Sequence, residues 1–471
     1  MLSPLQKTSL ESVTQGIGSA GILDFVAGWF IKAGQYISTT PDGFGGIATK
    51  ANKGRKGFTD VQFSKNQPAL DGFGGLFADV IQVETQARRK VRCAFVSTNS
   101  ITQGEQVGVL WAWMLAQGIH IHFAHRTFQW SNDAPGKAAV HCVIIGFGME
   151  ERAPRLFDYE DIKGSAFELA VKNVNPYLVD APTVLLPNRN KPICDVPEIG
   201  IGNKPIDDGN YLFTTQERDD FLKLEPKASK YFKRWLGAQE FLNGYERWCL
   251  WLGECKPNEL AVMPEVLKRI AAVKKFRLAS KSKPTQKLAE IPTRFHVENM
   301  PNSGYLILPE TSSESRAFIP FGFENPITIC SNAVKLMPNA TPYEFGILSS
   351  TMHNAWVRYT CGRLKSDFRY SAGIVYNNYP WPNKPMDKQR DAVETAAQGV
   401  LDARAEHQTG ENPASLATLY NPNTMPDNLL KAHKALDRAV DAAYGVKNLK
   451  TDAERVAYLF ELYEKYTSLL A

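Results

Sequence analysis

The stretch Ala138-Ala-Val-His-Cys-Val-Ile-Ile-Gly-Phe147 is nearly all apolar. A run of that length and make-up reads as a strand buried on both faces, as in a largely parallel sheet. Two further strand-like runs precede it, Arg92-Cys-Ala-Phe-Val-Ser97 and Gly118-Ile-His-Ile-His-Phe-Ala124. Upstream, Ile22 to Ile37 (ILDFVAGWFIKAGQYI) carries apolar residues at helical spacing, with Phe25, Trp29 and Ala33 on one stripe. Helix followed by strands predicts an α/β region over residues 1–155. Within it, residues 38–90 differ in character, being rich in Gly and Lys with two copies of Asp-Gly-Phe-Gly-Gly. This 38–90 stretch is taken as an insertion. Neither glycine copy follows a strand, so a hinged loop is expected rather than a phosphate cradle.

From 156 to 385 short apolar segments broken by Pro, Gly and Asn predict an α+β module. One helix stands out inside it, Met263 to Lys275, where Met263, Val266, Leu267, Ile270 and Val273 form an apolar stripe. Pro380, Pro382 and Pro385 mark a boundary, and 386–471 reads as an α-helical tail. There Asn428 to Tyr444 ends at Gly445, a C-cap residue. Thr451-Asp-Ala-Glu454 is a capping box that opens a last helix, with Val456, Leu459, Phe460, Tyr463 and Tyr466 inward.

Composition narrows the class. An apolar share of 44% and a charged share of 22% over 471 residues belong to a soluble globular chain. The net charge of +5 is modest, but Phe221 to Lys287 holds 15 Lys/Arg against 6 Asp/Glu, so the remainder is slightly acidic. Clustered cations are the footprint of phosphate contact, or else a solvated basic face. Seven scattered cysteines without a Cys-x-x-Cys predict neither a disulfide framework nor a zinc ribbon. His120-x-His122-x-x-His125 is not expected to hold a metal, since His125 falls off the face shared by the other two. The first residues lack the order of a signal peptide and no run of about 18 apolar residues occurs, so a reducing cytoplasm and no membrane are expected.

Met352 to Pro382 (MHNAWVRYTCGRLKSDFRYSAGIVYNNYPWP) carries the most specific pattern. It resembles the target-recognition region of the type IIL (MmeI-like) restriction–modification DNA adenine methyltransferases. The blocks Cys93–Val107, Ile121–Phe147, Asn175–Pro182, Glu240–Leu252, Ser312–Phe323 and Leu430–Gly445 resemble the same family in its order. The resemblance implies a partial class I methyltransferase sheet, a target-recognition domain and a helical C-terminal domain. It also implies double-stranded DNA as partner, S-adenosylmethionine as cofactor, no metal, and a bacterial or phage-encoded protein that methylates one adenine at N6. In that family a glycine-bearing cofactor loop and an Asn-Pro-Pro-Phe catalytic loop precede the helix at 22–37. Neither is found in this sequence, and Asn175-Pro176-Tyr177 lacks the second proline. The cofactor site is therefore expected to be incomplete, this chain alone inactive, and the missing methyltransferase half supplied by another polypeptide. A non-catalytic specificity subunit, or a truncated methyltransferase, is the alternative.

Within the run, Lys365-x-Asp367 sets a donor beside an acceptor. In the major groove G presents two acceptors and its partner C an amine, so such a pair can read one G·C base pair. Two residues apart on an extended segment, the two side chains would leave one face. The resemblance implies that these positions act together on the base pair next to the target adenine. Arg358, Arg363, Arg369, Lys281 and Lys283 are expected on DNA phosphates. Phe128 or Trp130 is the candidate ring for stacking on a flipped adenine, with a core aromatic as the alternative.

Overall fold

The computed structural model describes residues 2–38, 91–130 and 140–468. Residues 39–90 of the presumed insertion, with both glycine copies, lie outside the described residues. Two compact units divide the chain, Met1–Leu186 and Pro187–Ala471.

In the first unit, α1 (Pro4–Val13) and α2 (Phe25–Ser38) precede β1 (Arg92–Thr98), α3 (Glu105–Ala116), β2 (His120–Trp130), β3 (Val140–Gly148), β4 (Arg155–Tyr159) and β5 (Ala166–Leu169). The sheet order is β1-β3-β2-β4-β5. β1 and β2 run the same way, joined through α3, because a parallel pair needs a crossover. β3 then returns antiparallel between them. Its continuous apolar run therefore marks burial on both faces and not parallel pairing, which corrects the sequence expectation for its neighbours. β2 and β4 are parallel.

α2 forms where predicted but turns a different face inward. Ala27, Phe30, Ile31, Gly34 and Ile37 are buried, whereas Trp29 is 55% exposed. The helix is apolar nearly all round, so spacing alone could not choose the stripe. Close approach chose it. A Cβ at Gly34 would lie 2.6 Å from the Trp113 ring, and Phe30 stacks on Phe147 with centroids 5.5 Å apart.

Two local features reassign sequence motifs. A bulge between Ile121 and Phe123 displaces His122, which is buried with Nε2 2.7 Å from the Glu150 carbonyl oxygen. The His120 and His122 side chains are thereby separated, one exposed and one inside. Among the described residues no group of three metal-ligating side chains occurs. Asn175 is wholly buried and uses its Oδ1 to accept from the backbone amides of Tyr177 (3.0 Å) and Val179 (3.1 Å). Arg126 clamps that turn to β2 by donating to the Leu178 carbonyl (3.0 Å) while pairing with Asp158 (2.5 Å). The Asn-Pro-Tyr segment is a structural latch.

The second unit contains β6 (Gly200–Ile201), β7 (Leu212–Thr214), α4 (Thr215–Leu224), β8 (Phe232–Leu236), β9 (Arg247–Leu250) and α5 (Pro264–Leu278). There follow β10 (Tyr305–Pro309), β11 (Thr311–Ser312), β12 (Gly322–Glu324), β13 (Ile329–Cys330), β14 (Val334–Pro338), α6 (Pro342–Ser349), α7 (Thr351–Thr360), β15 (Gly362–Leu364) and β16 (Asp367–Arg369). The tail is α8 (Asp387–His407), α9 (Asp427–Tyr444) and α10 (Asp452–Ser468). Three small sheets result, ordered β13-β8-β9-β7, β12-β10-β14-β6 and β11-β16-β15. α9 ends at Gly445 in the left-handed region, φ 71°, and Thr451 with Glu454 closes the capping box of α10. Val456, Leu459, Phe460 and Tyr463 are buried as expected, and Trp356 of α7 packs on Phe460 at 5.2 Å. Among the described residues no helix is long and apolar enough to cross a membrane.

α5 buries Val266 and Val273, as its stripe predicts, and also the charged Arg277. Arg277 donates to five carbonyls, those of Ile206 (2.9 Å), Leu288 (3.1 Å), Ile291 (3.3 Å), Pro205 (2.9 Å) and Arg294 (2.8 Å). Burial lowers its pKa, with Tyr211 and Asp207 opposing. One guanidinium thus pins the end of α5 to two chain segments whose carbonyls have no strand to pair with. Arg277→Met, which leaves those acceptors unmet, is expected to cost about 3 kcal/mol in denaturant unfolding of the full chain. A loss below about 1 kcal/mol would show that the clip is dispensable.

Candidate nucleic-acid interface

α7 stops at Thr360, and the chain turns directly into the hairpin β15–β16. Gly362 pairs with Arg369, Arg363 with Phe368 and Leu364 with Asp367, so Lys365 and Ser366 form the two-residue connection. β16 is held on its other edge by β11, through Thr311 opposite Arg369 and Ser312 opposite Phe368. Lys365 therefore sits at the tip and Asp367 at the start of the return strand. The extended, same-face geometry expected for the pair is replaced by a turn, because the polar Lys-Ser step between two three-residue strands is a reversal. Lys365 has φ 58°, a conformation a lysine adopts only under constraint.

The constraint comes from Arg363. Its guanidinium lies 4.1 Å from the centre of the Phe368 ring and donates to the Ser366 carbonyl (2.9 Å) and the Arg358 carbonyl (3.2 Å), with Glu314 at 3.4 Å. Burial lowers its pKa, while Glu314 and Asp367 are among the groups that oppose the shift. Arg316 lies on the same side, bonded to Ser312 Oγ at 3.2 Å, with burial lowering its pKa and the Asp367 carboxylate opposing. Lys365 is exposed and Asp367 half-buried. The tip thus presents an exposed cation beside a half-buried carboxylate. A two-stranded ribbon of this kind fits the major groove of B-form DNA.

The remaining candidates separate into exposed and committed groups. Arg369 is exposed, with Nε 3.2 Å from Glu310, which also holds Lys335 at 3.2 Å. Lys281 and Lys283 are exposed around the start of the short helix Lys283–Lys287. Arg358 and Arg363, expected on phosphates, are instead mostly buried and spent on the protein. Arg358 pairs with Asp452 (2.8 Å) and donates to the Ala317 carbonyl, because the loop at 312–317 needs a cation to hold it. Sequence reading missed Arg316, Glu310 and Glu314, which come from the segment around β11 and are brought to the hairpin by the pairing of β11 with β16.

In the first unit, Phe128 and Trp130 end β2. Phe128 stacks on Tyr159 (5.4 Å) and tilts against Trp130 (6.3 Å), and Trp130 is 50% exposed. His125 extends this row of rings, stacked on Phe157 at 4.4 Å and with Nδ1 2.9 Å from the Tyr159 hydroxyl.

The chain matches three family models, the MmeI DNA-methyltransferase domain over residues 41–158, the MmeI target recognition domain over 180–383 and the MmeI C-terminal domain over 385–471. It belongs to the type IIL, MmeI-like family. The methyltransferase match begins at residue 41 and so includes most of the stretch taken above as an insertion. DNA methyltransferase A of Bacillus subtilis (strain 168) is 40% identical over 404 residues, which is 86% of this chain and 44% of that protein. The structure of the type IIL restriction–modification enzyme MmeI in complex with DNA is 45% identical, with a TM-score of 0.81 over 99% of this chain and 56% of that one. The chain spans about half the length of the relatives it matches.

The hairpin geometry separates bracing from reading by stability alone. Arg363→Ala is expected to lose about 2 kcal/mol, since it removes a buried cation with three acceptors and a ring contact. Lys365→Gly should leave stability unchanged or raise it by about 0.5 kcal/mol, because glycine relieves the positive φ. Denaturant melts of both variants test this, and a loss above about 1 kcal/mol for Lys365→Gly would show that its side chain is structural.

Proposed function

We propose that this chain is the sequence-reading part of an adenine-N6 DNA methyltransferase of the restriction–modification type, acting on double-stranded DNA in the cytoplasm. The observation that carries the reading is the hairpin tip. Lys365 donates to the O6 and N7 of a guanine, Asp367 accepts from the N4 amine of its cytosine, and that base pair adjoins the methylated adenine. The family membership supports DNA as the partner, as does the DNA-bound state in which MmeI was solved. Arg369, Lys281 and Lys283 contact phosphates, which fix register without reading sequence. Phe128 or Trp130 stacks on the adenine once it leaves the duplex, a contact on the order of 1–3 kcal/mol.

The methyl group would come from S-adenosylmethionine, the cofactor that the methyltransferase family implies. The described residues are not assigned to it. At the carboxyl end of β1, Asp24 is spent on the Ala27 amide (3.0 Å), Ser100 Oγ (2.5 Å) and Gln106 Nε2 (3.1 Å). That carboxylate is closed on its own neighbours.

Exchanging the charges tests the reading. Lys365→Glu with Asp367→Arg should move the preference at one base pair from G·C towards C·G, by roughly 5- to 150-fold for a pair contributing 1–3 kcal/mol. Competition binding over the four base pairs at that position measures it. An unchanged preference in the double variant refutes the assignment.

A further inference from the structure

We infer that α5 and the short helix after it form a phosphate track for the duplex flanking the recognised bases, built from Lys274, Lys275, Lys281, Lys283 and Lys287. The inference rests on the DNA-reading role proposed above, and it extends the phosphate contacts of Lys281 and Lys283 to a whole sequence-independent segment of the same unit.

The segment carries more cations than its fold pairs. Residues 264–287 hold eight Lys/Arg and one acidic residue, Glu265. Three of the eight have structural employment. Lys268 pairs with Glu265 at 2.7 Å. Arg269 lies over the Phe213 ring at 4.8 Å and the Phe221 ring at 5.8 Å. Arg277 is the buried clip described above. The other five are lysines, all exposed, and among the described residues none has an acidic partner.

Folding does not explain them. Lys275 falls in the last turn of α5, where a cation gains a little from the helix dipole, and Lys274 stands one residue before it. Lys281, Lys283 and Lys287 lie outside that turn, and five like charges within fourteen residues repel one another. The segment 221–287 carries 15 Lys/Arg against 6 Asp/Glu while the whole chain is only +5, so the excess is concentrated here. A lysine is a strongly hydrated point charge suited to phosphate and not to planar base edges. Duplex DNA is the partner whose charge complements this surface, and Arg277 holds the segment still so that ordering it adds no cost on binding.

The test is binding of the full chain to cognate and scrambled duplexes from 50 to 300 mM salt, on the order of the range where counterion release is resolved. Replacing the five lysines with glutamine should weaken both duplexes by roughly a hundredfold at low salt. It should also lower the slope of log affinity against log salt by about 3 to 4, leaving the base preference at the hairpin unchanged. The five-arginine variant should retain the parental slope, which separates lost charge from lost folding. An unchanged slope in the glutamine variant overturns the track while the reading role stands. A wild-type chain with no duplex affinity at any salt overturns both.

Discussion

The buried Arg363 guanidinium is the interaction on which the recognition surface depends. It stacks on Phe368, takes up the Ser366 carbonyl at the turn and reaches back to the end of α7 through the Arg358 carbonyl. A free hairpin of three-residue strands would not persist in water. Here the ring contact, the turn bond and the β11 edge fix it, and Lys365 is held in a backbone conformation that lysine otherwise avoids. Strain of this kind, on the order of 1–3 kcal/mol, is tolerated where the surroundings over-determine the segment. The side chain it projects is free to face DNA.

Four arginines of the unit are committed to its fold. Arg277, Arg358, Arg363 and Arg404 are wholly or mostly buried and satisfy carbonyls, rings or carboxylates, a task for which the planar fork is suited. Lys274, Lys275, Lys281, Lys283 and Lys287, exposed on α5 and the segment after it, have no such partners among the described residues. Affinity and selectivity can then vary independently. On the two proposals above, changing the hairpin would alter which base pair is chosen, while the basic helix would govern how tightly any duplex is held.

Much of this was legible in the sequence, for identifiable reasons. The tail helices were placed by Gly445 and by Thr451 with Glu454, whose capping chemistry is local. The β3 strand was found from its apolar run, yet its direction was not, because burial and not strand polarity sets composition. α2 was found with its inward face misplaced, since a helix apolar on several sides leaves the choice to Gly34 and Trp113. At the site, the turn that separates Lys365 from Asp367 was not foreseen. The braces Arg316 and Glu314 arrive from a distant segment by strand pairing, which no spacing rule reports.

The central claim is that the hairpin tip, steadied from beneath by Arg363, reads one base pair from the major groove. A structure of the chain bound to a duplex carrying its preferred site tests it most directly. The account predicts Lys365 Nζ within about 3 Å of a guanine O6 or N7 and an Asp367 oxygen within about 3 Å of N4 on the paired cytosine. A complex in which the tip lies on the phosphate backbone, or clear of the groove, would contradict it.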